Sequence, residues 1–235
     1  METSKLKPFF CYYGGKWRAA KRYPAPRYDT IIEPFAGAAG YSTRYSHKKI
    51  ILCDADPVIC GVWDYLIKVS EEELMDLPSV VTHIDDLSVN QEAKWLIGFW
   101  LNKGTTQPKK SPSVWMRQGL APNSWWGDGL KLKLATQLSS IRHWKVINGS
   151  FGSLVNVEAT WFVDPPYQGE AGKKYKFQFS QFSELASWCQ ERQGQVIVCE
   201  QEGANWLPFE PFHIIKSTPG ARGKSKSAEV IWTKS

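Results

Sequence analysis

The chain has 235 residues, of which 43% are hydrophobic, and a formal net charge of +6 with a pI near 9.0. Such a chain can bury a core, and its charge suits a polyanionic partner. It contains no run of the roughly 20 apolar residues that a membrane span needs, and its first residues lack the apolar stretch of a signal peptide. We therefore expect a cytoplasmic protein with no membrane partner. The five cysteines form no CxxC pair, so neither a disulfide framework nor a zinc site is predicted.

Apolar runs bounded by turn residues predict four buried strands, at 30–33, 49–54, 160–164 and 195–200. Helical spacing predicts helices at 58–69, 91–101, 130–141 and 182–192. Alternating strands and helices indicate a mostly parallel α/β sheet. Residues 213–217 and 228–233 predict a terminal hairpin. Acidic residues at the strand ends can face one crevice in such a sheet, and here they are Glu33, Asp54, Asp164 and Glu200.

The string Asp164-Pro165-Pro166-Tyr167 follows a predicted strand directly. Its prolines lack N–H donors, so main-chain carbonyls and the Asp164 carboxylate can form an acceptor-only pocket. Two acceptors that hold both hydrogens of an aromatic exocyclic amine favour a pyramidal, nucleophilic nitrogen. Tyr167 could stack on the base, and the carboxylate could stabilise the positive charge that develops on attack. A turn with a packed tyrosine is the alternative.

Two other strings suit a bound small molecule. The segment EPFAGAAG, from Glu33 to Gly40, follows the first strand, and its small residues allow a ligand to approach the backbone. It is neither GxGxxG nor a P-loop, which disfavours a dinucleotide or a nucleoside triphosphate. Asp54, at the end of the next strand, could bind ribose hydroxyls. The segment YYGGK, from Tyr12 to Lys16, predicts only a turn when it is considered alone.

Together the three strings resemble the Dam-type (D12 class) DNA adenine-N6 methyltransferases over most of the chain. That family has a YxGGK-like segment, an EPFxGxG motif, an acidic strand end, a recognition region and DPPY, in the order found here. Residues 99–102 (FWLN) and the basic loop 217–226 are weaker matches. The resemblance implies a Rossmann-like S-adenosylmethionine-dependent methyltransferase fold, with a mostly parallel seven-stranded sheet and an antiparallel carboxyl-terminal hairpin. It also implies a catalytic domain at 1–68 and 129–235 and a small inserted recognition region at 69–128.

The same resemblance implies S-adenosyl-L-methionine as the methyl donor, without a metal. It assigns the flipped adenine to Asp164, Pro165, Pro166 and Tyr167. The residues that it assigns to the donor are Tyr12, Tyr13, Gly15, Lys16, Glu33, Pro34, Phe35, Gly37, Asp54 and Asp164.

Double-stranded DNA is the partner that the resemblance implies. Basic residues expected at its phosphates are Lys103, Lys109, Lys110, Arg117, Arg222, Lys224 and Lys226, with a solvated charged surface as the alternative. Trp125 and Trp126 are candidates for stacking beside the flipped base. The region between Asp54 and Asp164 is shorter than in the family, and KGTT at 103–106 replaces a YGYNG-like string. This departure leaves the target sequence and the degree of specificity open.

Other functions remain compatible with parts of the pattern. Cytosine N4, RNA or a glutamine amide could be the acceptor, because the same pocket chemistry would serve them. A DNA-binding protein without turnover is a further alternative, and a NAD-dependent reductase is disfavoured by the missing GxGxxG. The order of the motifs favours adenine. We expect a monomer or weak dimer that acts in a bacterial cytoplasm, as a bacterial or phage protein, with restriction-modification as one possible role.

Overall fold

The computed structural model describes residues 6–119, 125–216 and 226–235. Its centre is a seven-stranded sheet with the order β3-β2-β1-β4-β5-β7-β6. Strands β1 to β5 pair in parallel, whereas β7 runs antiparallel to both β5 and β6. The mostly parallel sheet and the antiparallel terminal hairpin are thereby confirmed. The strands are β1 (Thr30–Glu33), β2 (Lys49–Asp54), β3 (Lys145–Asn148), β4 (Ala159–Val163), β5 (Gly194–Gln201), β6 (Glu210–Lys216) and β7 (Lys226–Lys234).

The helices are α1 (Pro57–Lys68), α2 (Glu71–Met75), α3 (Gln91–Leu101), α4 (Val114–Arg117), α5 (Asp128–Ala135) and α6 (Phe182–Glu191). Helices α1 to α4 begin with a side-chain cap, whereas α5 and α6 do not. Asp56 Oδ1 accepts the Val58 N–H at 3.0 Å, and Pro57 lies in the first turn of α1. Ser70 and Glu73 form a capping box at the start of α2. The predicted helix 130–141 is divided into α5 and a 3-10 turn at Leu138–Ile141.

Two hydrophobic clusters cover the sheet. One includes Trp63 of α1 and Phe99 of α3, and it extends into residues 69–128. The other includes Trp161 of β4 and Trp188 of α6. Aromatic side chains therefore provide much of the core, as expected from their large apolar area. The predicted inserted region shares the first cluster with the sheet, and its boundaries as a separate domain stay a prediction.

Lys131 on α5 is buried, with 3% of its surface exposed. Its Nζ donates to the carbonyl oxygens of Met75 at 2.7 Å and Leu77 at 2.6 Å, so it fixes the end of α2 onto α5. We expect Lys131→Met to lower the free energy of unfolding by about 2 kcal/mol, because both carbonyls would stay buried without these donors. Urea denaturation measures this change. Lys133→Met, at an exposed position on the same helix, is the control, and equal losses in both variants would contradict the assignment.

Candidate active site

A cleft lies beyond the carboxyl ends of strands β1 to β4. It holds about 1070 Å³ of space outside protein atoms, including the part open to solvent, which suits a small-molecule ligand. Its lining comes from the segments that follow the four strands: residues 33–38, 54–56 and 149–151, and Asp164 with Pro166. Residues 12–16 and residues between 175 and 181 complete the lining. The fold thus brings the three motifs of the sequence to one place.

Asp164 leaves β4 with both carboxylate oxygens 2.8 Å from Lys16 Nζ. Only Oδ2 accepts a hydrogen bond from this ammonium, and the buried Oδ1 accepts none from any described residue. Burial raises the pKa of the Asp164 carboxyl, and the Lys16 ammonium opposes this rise. Asp164 Oδ1 thus has the Lys16 ammonium 2.8 Å away but no hydrogen bond of its own among the described residues, which is unusual for a buried polar atom.

Lys16 reaches Asp164 because the amino-terminal segment passes very close to Gly40. A Cβ atom at Gly40 would lie 2.5 Å from the Trp17 nitrogen and 2.8 Å from the Lys16 carbonyl carbon, so a side chain is excluded there. Lys16 is only 6% exposed, and its Nζ also donates to the Gly14 carbonyl at 3.1 Å. Burial lowers the pKa of Lys16, but the carboxylates of Asp164 and Glu229 outweigh burial and raise it. Lys16 therefore stays charged.

Tyr167 is half-buried, and its hydroxyl donates to Glu229 Oε1 at 3.0 Å. Lys16 Nζ lies 4.9 Å from the centroid of its ring. Pro166 lines the cleft, whereas Pro165 and Tyr167 stay outside its lining. The sequence did not identify Glu229 as a site residue, because one acid within the apolar run of β7 carries no local signal. Its role becomes visible only when the sheet places β7 beside β5.

Asp54 organises the loops on the side of the cleft where β2 ends. Its Oδ2 accepts the Gly37 N–H at 2.9 Å, and its Oδ1 accepts the Asp56 N–H at 2.9 Å. Burial raises the pKa of Asp54 to about 6. Each carboxylate oxygen retains a second acceptor position, so the side chain can also bind a hydroxyl group. Asp56 Oδ2 accepts from Gln107 Nε2 at 2.8 Å, which connects this side to the segment after α3.

Glu33 is 2% exposed, and its Oε1 accepts the Ser42 N–H at 2.7 Å. Burial raises its pKa from 4.5 to about 8. Because this pKa is raised on folding, the stabilisation is complete below pH 4.5 and is lost as the pH rises toward 8. We expect Glu33→Gln to remove this loss, at about 1.4 kcal/mol per pKa unit.

Urea unfolding of the Glu33→Gln variant and of the unmodified protein at pH 5 and pH 8 measures the effect. Glu210→Gln, at an exposed glutamate of β6, is the control. The same pH dependence in all three proteins would show that Glu33 is not the group responsible.

Aromatic rings cover much of the remaining lining. Tyr12 contacts Tyr175 at 6.0 Å between ring centroids, and the Tyr175 hydroxyl donates to the Tyr13 carbonyl at 3.3 Å. Phe35 stacks on Phe151 at 5.9 Å and meets Phe179 edge-on at 5.4 Å. Tyr13, Gly15, Pro34, Phe35 and Gly37 all line the cleft, as does Tyr12. Sequence reasoning missed the contributions of Phe151, Tyr175 and Phe179.

Of the predicted DNA contacts, those that the structure describes lie outside the cleft lining: Lys103, Lys109, Lys110, Arg117, Trp125 and Trp126. Lys109 and Arg117 are exposed, whereas Lys110 pairs with Asp85 at 2.7 Å. Lys103 Nζ lies 4.7 Å from the centroid of the Trp125 ring.

One of these predictions needs a correction. Trp126 is 4% exposed and donates from Nε1 to the Pro78 carbonyl at 2.7 Å, so it packs in the core and does not offer a face to a base. Glu200 also differs from expectation: it lies outside the lining and accepts N–H groups of Gln168 and Trp206. Arg222, Lys224 and the Lys226 side chain lie outside the described residues.

The sheet order and the ligand-sized cleft at the strand ends define a Rossmann-like methyltransferase fold. Within the described ranges, no cluster of three or more His, Cys, Asp or Glu side chains could hold a metal ion. No helix in those ranges is long and apolar enough to cross a membrane.

No protein-family model matches the chain, and no curated protein matches it significantly. Among solved structures, it is similar to a conserved hypothetical protein of Streptococcus pyogenes, with a TM-score of 0.35 and 9% identity over 86% of this chain and 84% of that chain. It is also similar to a structure described as a putative methylase from Haemophilus influenzae, with a TM-score of 0.33 and 9% identity over 87% and 78% of the two chains. These scores carry no argument about function. The assignment of the fold depends on the strand order and directions.

Proposed function

We propose that this protein transfers a methyl group from S-adenosylmethionine to the N6 amine of adenine in DNA. The observation that carries the proposal is the buried Asp164 Oδ1 at the carboxyl end of β4, which lies 2.8 Å from Lys16 Nζ but accepts no hydrogen bond from the described residues. The two prolines after it add carbonyl acceptors and no N–H donor. Such a site suits an amine with two hydrogens to donate. The resemblance of the DPPY, EPFAGAAG and YYGGK strings to the Dam-type family favours adenine.

The cleft suits the proposed donor in charge and in shape. Asp54 would accept the ribose hydroxyls, and Phe35 and Phe151 offer faces for an adenine ring. The carboxylates of Asp54 and Asp56 lie in the same lining, which favours a ligand with positive charge. The donor would supply an electrophilic methyl group on a sulfonium sulfur.

The residues of this chain would position and activate the amine. Lys16 holds the Asp164 carboxylate and hydrogen-bonds to Oδ2, so Oδ1 would accept one N–H of the target. A main-chain carbonyl of the Asp-Pro-Pro segment would accept the other. The nitrogen would take the methyl group that the donor supplies, and the electron pair of the broken sulfur–carbon bond would stay on sulfur. The carboxylate stabilises the positive charge that develops on nitrogen, and the methylated amine then releases a proton to water.

Transfer from isotopically labelled donor to double-stranded DNA tests the proposal. The DNA is digested to nucleosides, which are identified by mass spectrometry, and we expect label in N6-methyladenine. Label in N4-methylcytosine would show that the acceptor is cytosine and not adenine. Label in RNA or in protein only, or none at all, would contradict DNA as the substrate. Sequencing of the methylated DNA would then identify the flanking bases.

Lys109 and Arg117 are exposed in the segment between α3 and α5. We expect the double variant Lys109→Ala with Arg117→Ala to bind DNA more weakly and to reduce the slope of log K against log salt by about 2, because each lost phosphate contact removes about one released counterion. Fluorescence anisotropy across a salt series measures both quantities. Lys68→Ala, at an exposed lysine of α1, is the control, and an unchanged slope in the double variant would exclude these contacts.

A further inference from the structure

We propose that Glu229 of β7 is a positioning residue of the transfer site, which fixes Tyr167 and shares Lys16 with Asp164. This inference rests on the proposed function. Glu229 lies in the terminal hairpin, far in sequence from the three motifs, and it does not line the cleft. It would therefore act through its neighbours, without touching the substrate.

Three side chains from different parts of the chain meet at this carboxylate. Tyr167 donates to Oε1 at 3.0 Å, and Tyr23 donates to Oε2 at 2.9 Å. Lys16 Nζ lies 3.6 Å from Oε1, compared with 2.8 Å from each oxygen of Asp164. The tyrosine of the DPPY string and the lysine of the YYGGK string thus both interact with Glu229. Its position sets the direction of the Tyr167 side chain relative to Asp164.

The charges of the cluster do not balance. Lys16 is one ammonium placed between two carboxylates, those of Asp164 and Glu229. If Glu229 were absent, the single cation would neutralise Asp164 alone. With Glu229 present, the cluster keeps an excess negative charge beside Asp164 Oδ1. That excess would stabilise the positive charge developing on the amine nitrogen.

A purely structural role explains Glu229 poorly. It is 2% exposed, and a buried carboxylate costs more free energy than an apolar side chain of similar volume would at the same place. The neighbours Val230 and Ile231 show that this part of β7 accepts apolar residues in buried positions. The carboxylate is better explained by what it does to Lys16, Tyr167 and Asp164.

The first test uses the protein without donor. In Glu229→Gln the amide oxygen can still accept from Tyr167, but the charge is gone. Glu229 raises the pKa of Asp164, so we expect this pKa to fall in the variant. Carbon-13 NMR of labelled aspartate carboxyls measures it, with Asp164→Asn identifying the signal. Other titratable groups also interact electrostatically with Asp164. They are Lys16, Tyr167, Tyr23, Glu33, Tyr175, Cys199 and Glu200.

The second test uses turnover. We expect kcat of Glu229→Gln to fall roughly tenfold, less than for a group that touches the reacting atoms. The KM for the donor should stay the same. Because Asp164 must be ionised, the acid limb of the pH–rate profile should move to lower pH as its pKa falls. Glu210→Gln, in the exposed part of the neighbouring strand, should change none of these quantities.

The outcomes distinguish a failure of the role inferred for Glu229 from a failure of the proposed methyl transfer. An unchanged Asp164 pKa and an unmoved acid limb, with turnover intact, would overturn the role of Glu229 and leave the proposed function standing. If the unmodified protein transfers no methyl group, the proposed function fails, and the NMR titration alone decides whether Glu229 controls the Asp164 charge. Should the glutamine variant not fold, Glu229→Asp keeps the charge but withdraws it from Lys16 and Tyr167. A smaller shift in the same direction would support the proposal, and no shift would contradict it.

Discussion

Asp164→Asn is expected to reduce the rate of methyl transfer at least about 100-fold. Asparagine still offers one oxygen, but it is neutral, so it cannot stabilise the positive charge that develops on the attacking nitrogen. Its amide group also brings N–H donors into a site that otherwise offers acceptors to the amine. A single-turnover assay with labelled donor measures the rate of the chemical step. Donor affinity, measured by calorimetry, should change much less.

The fold should persist in this variant. Lys16 loses its nearest carboxylate but keeps Glu229 at 3.6 Å and the Gly14 carbonyl at 3.1 Å. We expect the free energy of unfolding to fall by about 3 kcal/mol, the usual loss when a buried ion pair is broken from one side. Asp64→Asn, at a half-exposed aspartate of α1, is the control for the substitution itself. Near-normal turnover by a folded Asp164→Asn protein would refute the role assigned to Asp164.

The sequence predicts the parts of this protein whose signals are local. Strands β1 and β2 have the predicted bounds, because apolar runs between turn residues are typical of buried parallel strands. The DPPY string follows β4, and the three motifs meet in one cleft, as strand ends in a parallel sheet require. Strand β3 has no such signal, because it lies at the sheet edge and three of its four residues are exposed.

Other features could not be predicted because they depend on packing between distant segments. Trp126 was a candidate for base stacking only while its burial was unknown, since an indole suits a core and a surface equally well. Phe151 follows the unpredicted β3, so its place in the cleft was missed with the strand. Glu229 acquires its partners through the pairing of β7 with β5, which no pattern within residues 226–234 encodes.

Gly172→Ala is expected to disrupt the segment that follows the DPPY string. A Cβ atom at Gly172 would lie 1.9 Å from the Tyr167 carbonyl oxygen and 2.9 Å from the carbonyl carbon. Both are backbone atoms, so a change of side-chain rotamer cannot relieve the clash. The chain must therefore shift at Tyr167 or at Gly172. We expect the free energy of unfolding to fall by about 1 to 3 kcal/mol, as in other overpacked sites. Methyl transfer should fall more than tenfold, because Tyr167 would lose its alignment with Glu229 and Lys16.

Gly169→Ala is the matched control, since it lies three residues earlier in the same segment. The nearest atom to its added Cβ would be the Gln201 Oε1 at 3.7 Å, which is an ordinary contact. Denaturant unfolding and single-turnover transfer should therefore separate the two variants, with Gly169→Ala near the unmodified protein. If both substitutions left stability and transfer rate unchanged, the turn at Gly172 could move away from Tyr167 at little cost in free energy. The backbone after β4 would then be too compliant to hold Tyr167 for catalysis, and the alignment would have to come from Glu229 alone.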